Sequence, residues 1–223
     1  MAMKNIPDRF GIATSSIAVV LCWFAIDTIV AEALTPKPQP FAQELARAEP
    51  ISGASLADWT AKAALRGDLV GDIAMARAAP ALNRGTTAET PEKAAARQRA
   101  LATASASLAL APHSSAMWLL VAMLSSRTQT EASVAAVLKM SYLTSSSDAN
   151  LIPTRLAVLS LSPAIADPEL RSLLRSDIRL ILTRRPDLKA AIAGAYRAGS
   201  AEAKAIIDED VRSIDPGFAT SLL

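Results

Sequence analysis

Asp208, Glu209 and Asp210 stand in a row near the C-terminus, and Asp68 and Asp72 form a second, more open pair of acids. Paired carboxylates can act as acid and base on a glycosidic bond or hold a divalent cation, provided they converge. Consecutive residues on a helix point about 100° apart, so the trio reads as a solvated face rather than a dyad. His113 is the only histidine and directly follows Pro112. A Ser-His-Asp arrangement would have to use this one residue, and no G-x-S-x-G turn accompanies it. The only cysteine is Cys22, so no intrachain disulfide forms and a metal site of His and Cys ligands has no donor set beyond the N-terminal region. The 8 glycines are isolated and make no phosphate-cradling loop. No catalytic residue, cofactor or metal ligand is expected.

Two other groups of side chains suit binding. Arg171, Arg175 and Arg179 recur every four residues and Arg184-Arg185 follows them, giving one helix face a basic stripe. Such a stripe can receive an anionic polymer or lipid headgroups, or simply face water opposite Leu170, Leu173, Leu174, Ile178, Ile181 and Leu182. Met117, Trp118 and Met123 belong to either a partner surface or the core beneath it.

The elements that must position these residues are helical. Hydrophobic residues make up 51% of 223 and aromatics only 4%, with alanine and leucine dominant, which favours helix over strand. No stretch alternates at period two, so the expected class is all-α. Start and stop signals predict helices at 55–66, 67–79, 91–110, 114–126, 129–144, 148–161, 167–184, 187–198 and 200–213. Ser55, Thr90, Ser114, Thr128, Asp148, Asp167 and Ser200 stand at or near the starts, and Pro112, Pro163, Pro186 and Pro216 punctuate the ends.

Between Arg9 and Asp27 there is no charged side chain. The helix this predicts over 10–33 is long enough to cross a hydrocarbon core of about 30 Å. Lys4 and Arg9 precede it and Asp27 and Glu32 follow, so the positive-inside rule keeps the N-terminus cytoplasmic. Residues 1–33 are expected to be a signal anchor. Ala31-Glu-Ala33 also has the A-x-A form of a cleavage site, so the alternative is a signal peptide removed near Ala33, leaving a soluble periplasmic domain. Pro36, Pro38, Pro40 and Pro50 make 34–54 a spacer with a two-turn helical interlude at 41–48. The remainder, 55–223, is expected to form one all-α domain.

The register of Arg99-Ala-Leu-Ala-Thr-Ala-Ser-Ala-Ser-Leu-Ala-Leu-Ala-Pro112, followed by Trp118 and Ala122, resembles a junction between two tetratricopeptide (TPR) repeats. Small residues at Ala100, Ala104 and Ser107 precede a proline, then a large residue falls six positions on and a small one four further. Trp59 to Ala63 with Gly67-Asp68 echoes the layout, while Ser125, Val134 and Ser146 depart from it; the resemblance covers about 55–145. It implies antiparallel helical hairpins and a protein-binding scaffold of the bacterial envelope.

With 23 basic against 21 acidic side chains, a net charge of +2 gives no basic field for nucleic acid. The expectation is therefore a non-catalytic TPR-like scaffold or accessory subunit in the inner membrane, with a periplasmic domain and a protein partner in the envelope. Polysaccharide biosynthesis or export machinery is one client. The alternatives are a periplasmic glycan-acting enzyme using carboxylates, or a small membrane subunit acting through its transmembrane helix.

Overall fold

In the computed structural model the chain divides into two units, 1–39 and 40–223. The structure describes residues 41–48, 67–82, 90–126 and 130–222, together with Ala18 and Cys22, which are helical and exposed. The expected anchor at 10–33, apart from those two residues, the cleavage site and the helix at 55–66 with Trp59 lie outside the described residues. Among the described residues no helix is long and apolar enough to cross a membrane.

Every regular element of the described residues is helical. They are α1 (Phe41–Arg47), α2 (Gly67–Leu82), α3 (Pro91–Leu110), α4 (Ser115–Ser125), α5 (Glu131–Thr144), α6 (Ile152–Leu161), α7 (Pro168–Arg184), α8 (Lys189–Ala198), α9 (Ala201–Ile214) and α10 (Pro216–Thr220). Two short 3₁₀ turns, Pro163–Ala166 and Pro186–Leu188, lead into α7 and α8.

Local chemistry accounts for most of the boundaries. Thr90, Thr130, Asp167 and Ser200 each accept backbone N–H bonds that the first turn cannot satisfy internally, in front of α3, α5, α7 and α9. Asp167 takes two, from Glu169 at 2.9 Å and Leu170 at 3.1 Å. Two limits depart from the sequence expectation. Asp148 folds its carboxylate onto the Asn150 N–H at 3.0 Å, forming a turn, and α6 begins only at Ile152. The second helix runs past Pro80 to Leu82, because a proline in the last turn forfeits one hydrogen bond without ending the helix.

Packing follows two regimes. Over 67–144 successive helices pair as hairpins, α2 with α3 and α4 with α5, and α4 also lies against both α2 and α3. The close approach is possible because the facing side chains are small: Ala100, Ala104, Ser107 and Ala122 are buried. A Cβ on Gly71 would lie 3.5 Å from Ser107 Oγ and 3.6 Å from Met117 Sδ, so α2, α3 and α4 meet there. α4 is apolar almost all round and buried, with Leu119, Leu120 and Leu124 fully inside. Beyond α5 the order changes: α6 packs on α8, α7 on α9, and α10 closes against α9.

The interlude at 41–48 is helical as expected, but it belongs to the folded body rather than to a free spacer. Phe41 and Leu45 are buried, α1 packs on α2 and α6, and the Phe41 N–H donates to the Asn150 carbonyl at 3.2 Å. Burial of an aromatic ring outweighs the disorder favoured by the flanking prolines.

The two glycines of the α8 region respond oppositely to a methyl group. A Cβ at Gly199 would sit 2.8 Å from the Ala195 carbonyl oxygen, whereas one at Gly194, inside α8, meets nothing within 4 Å. Urea unfolding should show Gly199→Ala destabilised by about 1–3 kcal/mol through overpacking. Gly194→Ala should gain about 0.5–1 kcal/mol from helix propensity.

Candidate functional site

The residues singled out for binding in the sequence fall in separate places. Met117 is buried in the core between α2 and α4, so it is not part of an exposed surface. Trp118 is half-buried; its ring packs on the core and its Nε1–H donates to the Pro112 carbonyl at 2.8 Å, tying α4 to the turn that contains the exposed His113. Met123 is half-buried against the same core.

Two members of the arginine stripe are met by acids of α9. Arg171 pairs with Glu202 and also donates to the Ile165 carbonyl at 2.9 Å, while Arg175 pairs with Asp210. Arg179 lies on the exposed side of α7. Asp210, expected on a solvated face, is instead 2% exposed, because α9 turns it into the α7 interface. Its neighbours behave as expected of a surface: Asp208 pairs with Arg212 one turn on, and Glu209 is exposed. Among the described residues, no three of the His, Cys, Asp and Glu side chains come together as metal ligands would.

A densely connected polar group lies where the sequence drew no attention to it. Arg155, on α6, is fully buried. Its Nη2 donates to the carbonyls of Ser141 and Ser145, the latter at 2.8 Å, and its Nε donates to Ser141 Oγ at 3.2 Å. Those carbonyls end α5, where the last turn leaves acceptors unsatisfied and the helix dipole is negative. A buried guanidinium is thus held by the C-terminus of a neighbouring helix. Ser141 Oγ passes the connection on to the Ser115 carbonyl of α4 at 3.0 Å.

The other face of the group is aromatic and acidic. The guanidinium carbon stands 4.4 Å from the centre of the Tyr142 ring, within cation–π range. Tyr142 Oη donates to Asp177 Oδ2 of α7 at 2.8 Å, and both residues are 2% exposed. Burial pushes the Tyr142 hydroxyl well up and draws Arg155 down from its usual value, countered in part by the nearby Tyr142, Asp177 and Asp148. The cluster joins α4, α5, α6 and α7 through a chain closed off from solvent, which positions helices rather than substrate.

A signal for it existed. Asp177 falls on the apolar stripe of α7, between Leu174 and Ile178, and Arg155 interrupts the apolar run of α6. A charged residue on a buried stripe requires a partner, although nothing in the sequence says which.

No family model, curated protein or solved structure matches the chain.

Because Arg155 serves two helix-terminal carbonyls and a ring at once, shorter replacements leave acceptors stranded. Arg155→Ala is expected to lower stability by about 3–5 kcal/mol, the range for breaking a buried charged network. Arg155→Lys should recover only part of it, since an ammonium lacks the planar fork. Denaturant unfolding of the three proteins checks both.

Proposed function

We propose that the chain is a non-catalytic, TPR-like helical scaffold or accessory subunit, exported and tethered to the inner membrane through residues 10–33, that holds a protein partner in the envelope. The observation that carries this reading is the hairpin order over 67–144, in which α4 lies against both helices of the preceding pair across small side chains. Stacked hairpins of this kind bury a continuous core and leave long outer helix faces for partners. The exposed helix ends retain apolar groups: Leu110 and Leu143, at the ends of α3 and α5, are 49% and 71% exposed.

Charged chemistry on the α7–α9 side is taken up internally. With Arg171 and Arg175 engaged by Glu202 and Asp210, and Arg185 by Asp187, that side joins two helices, and Arg179 and Arg184 are left as the members of the stripe facing outward. This favours recognition of a protein over capture of an anionic polymer. Polysaccharide biosynthesis or export machinery remains a client by analogy with other envelope scaffolds.

Affinity purification of a C-terminally tagged chain from mild-detergent membranes, with mass spectrometry of its N-terminus, tests the reading. The expected outcome is an intact N-terminus and one stoichiometric envelope protein. A chain starting at Leu34 with no partner would overturn both tether and scaffold.

A further inference from the structure

Asp177 is a buried carboxyl with no ion pair among the described residues. It takes a hydrogen bond from Tyr142 Oη at 2.8 Å, and the cation that acts on it, Arg155, is engaged elsewhere, with the α5 carbonyls. Arg155 Nη1 is buried and has no acceptor among the described residues. A carboxylate stripped of water and given a single donor is poorly solvated when ionised, and much less so when neutral.

The other charged groups on the elements around α7 are turned to different partners. From α5, Lys139 pairs with Asp167 and Glu169. From α9, Glu202, Asp210 and Asp208 are held by Arg171, Arg175 and Arg212, while Glu209 is exposed and Lys204 half-exposed. From α8, Lys189 pairs with Asp215 and Arg197 is exposed; from the turn before it, Asp187 pairs with Arg185. Tyr196 of α8 is half-buried against the core. Among the described residues, Tyr142 and Arg155 are the side chains that act on Asp177.

We propose that Asp177 is a proton-operated latch at the α5–α6–α7 junction: binding one proton tightens the contact between these helices, and releasing it loosens them. Burial pushes the carboxyl from its ordinary 3.8 to about 7, with the Tyr142 hydrogen bond and the Arg155 charge opposing only part of the rise. The unfolded chain gives up this proton near its ordinary value, while the folded chain keeps it to about neutrality. The stabilisation is therefore complete below the unfolded value and is lost as pH rises through about 7. Inside that window the unfolding constant rises about tenfold per pH unit, the slope of one proton.

Ordinary acid destabilisation falls below this range. Lys139, Arg185 and Lys189 hold the carboxyls of Asp167, Asp187 and Asp215 below the usual carboxylate range, so their loss comes at lower pH. Acidification from pH 7 to 5 consequently strengthens the fold. For a domain facing a compartment whose pH follows the surroundings, this makes the junction a sensor of external acidity.

The test uses the full chain in mild detergent, with urea unfolding at several pH values between 5 and 8 and a carbon-13 NMR titration of the Asp177 carboxyl. The expected results are a carboxyl midpoint near 7 and a wild-type unfolding constant about tenfold larger for each pH unit climbed toward it. Asp177→Asn should flatten the dependence, and Tyr142→Phe, which removes the donor to the ionised form, should move the midpoint higher. A midpoint in the ordinary carboxylate range, or an Asn variant with the wild-type slope, would overturn the proposal. Should the Asn variant fail to fold, the wild-type NMR midpoint decides alone.

Discussion

A guanidinium placed inside a helical protein must find acceptors for its N–H groups, and at Arg155 this requirement organises the centre of the molecule. The acceptors are supplied by the C-terminal turn of α5, where a helix runs out of its own N–H donors: the Ser145 carbonyl and the Ser141 carbonyl, the latter shared with the Thr144 hydroxyl at 3.4 Å. Nη2 and Nε thus gain acceptors that would be costly to leave unmet in a dry interior, while Nη1 has none among the described residues. Because the donors are fixed in one plane, α6 can approach α5 in few orientations. Tyr142, stacked on the cation, carries the constraint to α7 through Asp177, and Ser141 carries it back to α4.

This junction also marks a change in packing. On its N-terminal side, consecutive helices pair as hairpins over small side chains; on its C-terminal side, α6 with α8 and α7 with α9 interleave. In the interleaved half charge pairs cross between elements: Arg171 and Arg175 reach α9, Lys139 bridges α5 to the start of α7, and Lys189 holds Asp215 at 2.8 Å while lying over the Phe218 ring. Pairs on the surface contribute little each. Their value here is directional, since each ties one position on a helix to one position on its neighbour. In the hairpin half, Ala100, Ala104, Ser107 and Gly71 set the spacing.

Helix class and most helix limits were legible because their causes are local. A capping side chain, a proline and a run of good helix formers act over four residues or fewer. The exceptions are also local in origin, as with the turn that Asp148 forms on itself. The site was far less legible. Arg175 and Asp210, or Tyr142 and Asp177, lie 35 residues apart in the chain, and periodicity places each on a face without naming what it meets. The basic stripe on α7 illustrates the gap: spacing showed that the arginines share a face, while the position of α9 determined that two of them are paired.

By itself the sequence determined an all-α class, most limits of the described helices and an uncharged N-terminal run. These follow from side-chain chemistry and from repeats of three to four residues, which act before any long-range contact forms. Only the tertiary structure decided that Phe41 and Leu45 join the core, that Met117 is buried rather than displayed, and that Arg155, Tyr142 and Asp177 form one closed network. The reason is that burial belongs to a place and not to a residue: the same carboxylate is a solvated charge at Glu209 and a desolvated one at Asp177, depending on which helix covers it.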